Sequence, residues 1–106
     1  MVLNLSQEVV TISKPPKSIL QMAQSKELQP TVRIGKQGLT DSVIEELRSQ
    51  FNQRDLIKIK VNRGLFERQE MQNLWDYLSN NTHSTLVYAR GNVGVLWKGK
   101  KNLIVD

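Results

Sequence analysis

The sequence predicts an α/β fold of the two-layer α+β kind: a mixed four-stranded sheet with helices mainly on one face, in the order α-β-α-β-α-β-β. Three patterns carry this expectation. Asp55 to Val61 alternates, with Ile57, Ile59 and Val61 pointing one way and Lys58 and Lys60 the other, which is the period of a strand with one buried and one basic face. Val43, Ile44, Leu47 and Phe51, and again Met71, Leu74, Trp75 and Leu78, recur with the spacing of one helical face. The apolar runs Thr85 to Arg90 and Val93 to Trp97 flank Gly91-Asn92, a pair suited to a two-residue hairpin turn. Strands separated by helices call for parallel crossovers, and the closing hairpin adds an antiparallel strand.

Taken in order, residues 1–14 hold two short apolar runs before Lys14-Pro15-Pro16-Lys17 interrupts regular structure, and they read as an N-terminal arm or an edge strand. Pro15 and Pro16 suit the entry to a helix from about Lys17 to Lys26, with Ile19, Leu20, Met22 and Ala23 as its apolar face and Leu28-Gln29-Pro30 as its stop. Thr31 to Ile34 is rich in β-branched residues and bounded by Pro30 and Gly35, which favours a strand. Beyond Gly35-Lys36-Gln37-Gly38, the segment Leu39 to Gln53 is helical in period. Thr40, Asp41 and Ser42 can all cap it, and Ser42 with Glu45 has capping-box spacing. Asp41, Glu45 and Glu46 fall early and Arg48 and Arg54 late, the charge order that the helix dipole favours. Asn62-Arg63-Gly64 then turns the chain into a helix from about Glu67 to Ser79, where Trp75 is a core residue. Lys98-Gly99-Lys100-Lys101 reads as a basic turn, and Leu103 to Val105 as a last short strand. Residues 15–98 thus form one domain between the arm and a tail of residues 99–106.

Composition narrows the chemistry. A chain of 106 residues can bury one core without staples, and the absence of cysteine excludes disulfides, thiolate metal sites and thiol nucleophiles. The single histidine, His83, sits in a polar cluster and reads as a loop residue. The carboxylates fall on helix surfaces where charge order explains them, and neither a metal-ligand cluster nor a Walker loop is present. The expectation is therefore a protein that is not an enzyme, needs no cofactor and takes no small-molecule substrate. No apolar run approaches the roughly 20 residues of a membrane span, and the N-terminus lacks the pattern of a signal peptide. No membrane partner and a cytoplasmic address are the corresponding expectations. Fifteen Lys and Arg against ten Asp and Glu give a net charge of +5, which biases the surface toward polyanions.

Gly35-Lys36-Gln37-Gly38 is the point on which that charge converges. Two glycines where a strand hands over to a helix let backbone approach a ligand without an intervening Cβ, and the free N–H groups of the helix's first turn suit phosphate oxygens. Lys36 can pair with a phosphate held there, Lys58 and Lys60 project from one strand face, and Lys98, Lys100 and Lys101 extend the field. Arg33, Arg63 and Arg90 are further candidates. Tyr88 and Trp97 either stack bases or pack in the sheet, and no feature reads individual bases.

The run Leu28 to Thr40 with its glycine loop, the strand Asp55 to Val61, and the block from Gly91 through Val95-Leu96-Trp97-Lys98 resemble the CRM domain (chloroplast RNA splicing and ribosome maturation) in its stand-alone, YhbY-like form. The resemblance spans roughly residues 17–98. It implies a fold similar to the C-terminal domain of bacterial translation initiation factor three. It also implies RNA as the partner, bound through the GxxG loop and adjoining basic surface, and association with precursors of the large ribosomal subunit. Gly35, Lys36, Gln37 and Gly38 would be the contacting loop, Lys58 and Lys60 the family's basic strand, and Lys98 the stand-in for its usual Arg. Gly94 departs from the larger residue usual in the family and predicts a looser hairpin. Two other readings stay open: a basic DNA-binding or chromatin-like protein, and a protein-interaction module in which the glycine loop is only a turn. A KH domain also uses GxxG, but between two helices.

Overall fold

A computed structural model of the chain describes residues 15–99. The arm of residues 1–14, Lys100, Lys101 and the expected strand Leu103 to Val105 lie outside the described residues. The elements are α1 (Lys17–Gln24), β1 (Pro30–Ile34), α2 (Asp41–Phe51), β2 (Leu56–Val61), α3 (Arg68–Thr82), β3 (Thr85–Arg90) and β4 (Val93–Trp97), in the expected order. The sheet runs β1-β2-β4-β3. β1 and β2 are parallel, joined by α2, and β4 is antiparallel to both of its neighbours. The closing hairpin therefore folds back to insert β4 between β2 and β3.

Alternation along the strands builds the main core. Val32 and Ile34 of β1, Ile57, Ile59 and Val61 of β2, and Leu96 of β4 meet Ile44 and Leu47 of α2 and Leu74, Trp75 and Leu78 of α3. Val43 and Phe51 complete the stripe from half-buried positions. The opposite face is not purely basic, as the Lys58/Lys60 alternation suggests. There α1 places Ala23 on Leu56 and Val95, with Ile19, Leu28 and Trp97 around them, so a second small core covers the near half of that face. Lys58 lies half-buried at its edge and donates from Nζ to the Leu28 carbonyl at 2.9 Å, whereas Lys60, one pleat further, is exposed. Met22, expected on the apolar face of α1, is 53% exposed, since the helix turns Ile19 and Ala23 toward the second core and Met22 stays outside it.

Gly94 does not loosen the hairpin. A Cβ built there would stand 2.7 Å from Trp75 Cη2, so the indole six-membered ring fills the space that a larger strand residue would occupy. Helix ends follow expectation only in part. The N-cap of α2 is Thr40, one of the three expected, but its hydroxyl pairs with Ser42 Oγ at 2.9 Å instead of capping the backbone. Arg54 falls beyond the helix, whose C-cap is Asn52. A capping box forms instead at α3, where Glu67 and Glu70 satisfy each other's backbone N–H groups. Gln50 fastens α2 to the edge strand: its Nε2 donates to the Thr31 carbonyl at 3.1 Å and its Oε1 accepts from Thr31 Oγ1 at 2.6 Å.

Candidate nucleic-acid interface

β1, β2 and β3 all end on the same side of the sheet, so three loops gather there: Gly35 to Gly38, Asn62 to Gly64, and Gly91-Asn92. The carboxyl ends of strands are where open α/β sheets usually hold ligands. Backbone bonds fix the loops to one another. Asn62 N–H donates to the Ile34 carbonyl at 2.9 Å, and Val61 N–H to the Asn92 carbonyl at 2.8 Å. The Asn92 amide returns a bond to the Val61 carbonyl. Gly91, at φ 59, supplies the left-handed first position of the tight hairpin turn.

The glycine loop joins β1 to α2, which sets it apart from the helix-to-helix setting of a KH motif. Gly38 N–H closes a turn onto the Gly35 carbonyl at 2.8 Å, and Gly38 sits at φ 72. Among the described residues, the N–H groups of Lys36 and Gln37 take part in no hydrogen bond. Both side chains are exposed. The first turn of α2, which has no side-chain cap, stands behind them, whereas at the start of α3 the Glu67 carboxylate already takes the Glu70 N–H. An anion is therefore served by one helix end and not the other, although Asp41 in the first turn of α2 works against it. A cleft of about 540 Å³ lies here, lined by Arg33, the loop, Thr40, Ser42 and Asn62.

Register extends the positive field across the sheet. Arg33 pairs with Lys60, Lys60 with Val93, and Val93 with Arg90, so three cations stand in one row on the face not covered by α2 and α3. All three are exposed. Strands about 4.8 Å apart bring Arg33 and Lys60 close enough to repel, an arrangement that an anion relieves. Arg63, on the loop after β2, is exposed beside them. Tyr88 is half-buried in a groove between the end of α1 and the sheet, with Lys26, Lys58 and Arg90, while Trp97 packs in the second core beneath Gly99.

Lys98 is not brought to this end. Its backbone N–H donates to the Asp55 carbonyl at 2.9 Å, at the start of β2, and its Nζ lies 5.8 Å from the centroid of the Phe51 ring. From Val93 to Lys98 the strand runs about 17 Å, at about 3.4 Å per residue. Lys100 lies outside the described residues. Two side chains that the sequence did not single out belong to the loop cluster: Asn62, which reads only as a turn residue, and Arg68, the first residue of α3.

The sequence of residues 19–98 matches the family profile of the CRS1/YhbY (CRM) domain. The chain belongs to this family. Relatives of the CRM domain include a Pseudomonas aeruginosa protein named a probable RNA-binding protein, 34% identical over 80 residues that cover 72% of this chain and 75% of that one. A Haemophilus influenzae protein named an RNA-binding protein is 29% identical over 90 residues, 85% of this chain and 88% of its own. The solution structure of a hypothetical protein from Staphylococcus aureus superposes on the CRM domain with a TM-score of 0.65 at 26% identity, covering 83% of this chain and 92% of the other.

Proposed function

We propose that this CRM domain binds RNA, and specifically precursors of the large-subunit ribosomal RNA during ribosome assembly in the cytoplasm, with the GxxG loop and its basic flanks on the phosphates. One observation carries the reading: three strand-end loops bring Lys36, Arg63, the Arg33-Lys60-Arg90 row and an uncapped helix N-terminus to one end of the sheet. Fixed backbone donors and long cations hold phosphates without reading bases, so selectivity rests on RNA shape or on the assembling particle. The names of the relatives support RNA over other polyanions.

The test is a salt series with a large-subunit rRNA fragment, duplex DNA as competitor, and Lys36→Glu beside the wild type. About three to five phosphate contacts predict a log-log slope of roughly −2 to −4, with RNA preferred at matched salt and both affinity and slope reduced in the variant. Equal competition by DNA would favour a general DNA-binding role. Wild-type binding by Lys36→Glu would make the glycine loop a plain turn.

A further inference from the structure

We infer that the cleft between the β2–α3 loop and the β3–β4 turn receives one unpaired nucleobase of the RNA whose phosphates lie on the glycine loop, an assignment that rests on the RNA-binding reading above. The cleft holds about 410 Å³, within the roughly 300–1,000 Å³ usual for small-molecule sites. Its wall is apolar, formed by Phe66 and Met71, which are half-buried with their inner surfaces against the main core. Arg63 and Arg68, both exposed, supply two guanidinium groups to the same cleft. A site for phosphate alone has no use for an aromatic wall, whereas a base offers a π-face to Phe66 and to a guanidinium plane.

Polar groups are placed for the base edge. Asn92 commits its Nδ2 to the Val61 carbonyl, which fixes the side chain, and its Oδ1 has no partner among the described residues. Gly64 and Gly91 sit at φ 82 and φ 59, and a Cβ at either would meet nothing within 4 Å, so both turns border open space at the cleft. Asn62 lines this cleft and the glycine-loop cleft alike. A sugar-phosphate on the loop can therefore send its base into the neighbouring cleft without a break in the chain. A paired base cannot enter, because its edge and faces are occupied in the helix. The domain should accordingly prefer RNA with an unpaired nucleotide.

Three hairpins of equal phosphate count test this: one fully paired, one with a single-nucleotide bulge, and one with an abasic bulge. The bulged RNA should bind the wild type about tenfold tighter than the other two, the order expected of one base–aromatic stack. Phe66→Leu keeps the apolar volume and removes the π-face. It should abolish that preference while leaving affinity for the paired hairpin and its salt slope unchanged. A 2-aminopurine bulge reports withdrawal of the base from its RNA neighbours by a rise in fluorescence on binding the wild type, with no variant needed. Equal binding of bulged and abasic RNA, or a 2-aminopurine signal that does not change on binding, would overturn the cleft's role and leave the phosphate reading standing. Failure of all three RNAs to bind would overturn both.

Discussion

Gly94→Ala examines the packing that holds the loop cluster in place. The new Cβ would meet three Trp75 ring carbons at 2.7–2.8 Å, against about 3.5–4.0 Å for relaxed carbon contacts. The ring has little room to retreat, because Trp75 is 2% exposed and lies in the cluster with Leu74, Leu78 and Leu96. Overpacking of this kind costs about 1–3 kcal/mol. Ala fits the backbone here, since Gly94 does not have positive φ, and restricting the unfolded chain returns about 0.4–1 kcal/mol. The middle of the two ranges leaves a net loss of about 1.3 kcal/mol, a fall in Tm of about 5–10 °C for a domain of this size. Thermal and urea unfolding of Gly94→Ala, Trp75→Phe and the double variant measure it. The double variant should be more stable than the sum of the single losses predicts, by at least about 0.5 kcal/mol. An unchanged or raised Tm for Gly94→Ala, or the same loss in the Trp75→Phe background, would mean that Trp75 does not fill the space above Gly94.

The two loop glycines should separate. Gly35→Ala places its Cβ 3.7 Å from Asn62 Nδ2, an ordinary contact. It should therefore leave urea unfolding within about 0.5 kcal/mol of wild type while weakening RNA binding by holding phosphate off the backbone. Gly38→Ala, at φ 72, should lose about 1–2 kcal/mol of stability, so its binding defect will be partly conformational. His83 ends α3 at φ 54, with Ser84 N–H reaching back to the Ser79 carbonyl at 2.9 Å. His83→Gly should raise stability by a few tenths to about 1 kcal/mol, read as a higher urea midpoint with an unchanged m-value.

Local pattern carried much of this fold. The alternation of Ile57, Ile59 and Val61, the stripes of α2 and α3, and the Gly91-Asn92 turn each constrain only near neighbours, and the structure places each as its period requires. What the pattern could not carry was long-range pairing. Nothing in Val93 to Trp97 says that this strand inserts beside β2, yet that insertion puts Arg90 in the row with Lys60 and Arg33 and sends Lys98 to the far end. Lys58 and Lys60 look equivalent in sequence. Only the docking of α1 distinguishes them, by covering one and bringing the Leu28 carbonyl to its ammonium. The capping box was misplaced for a similar reason: a serine with glutamate three residues on signals a box, but Ser42 lies inside α2 and its hydroxyl is taken by Thr40, while the box at Glu67 lacks the usual hydroxyl residue. The glycine loop was legible because a strand-to-helix turn of this kind is read from adjacent residues. Asn62 was not, since its importance comes from lying against Gly35 across the chain.

The most direct test of the site is an amide chemical-shift titration of the labelled protein with a large-subunit rRNA fragment. Gly35 to Gly38, Asn62 to Gly64 and Gly91-Asn92 should shift together, with Lys98 and the start of α1 nearly still. Largest shifts at Asp55 and Lys98, or on the outer surfaces of α2 and α3 with the glycine-loop amides unmoved, would contradict this site.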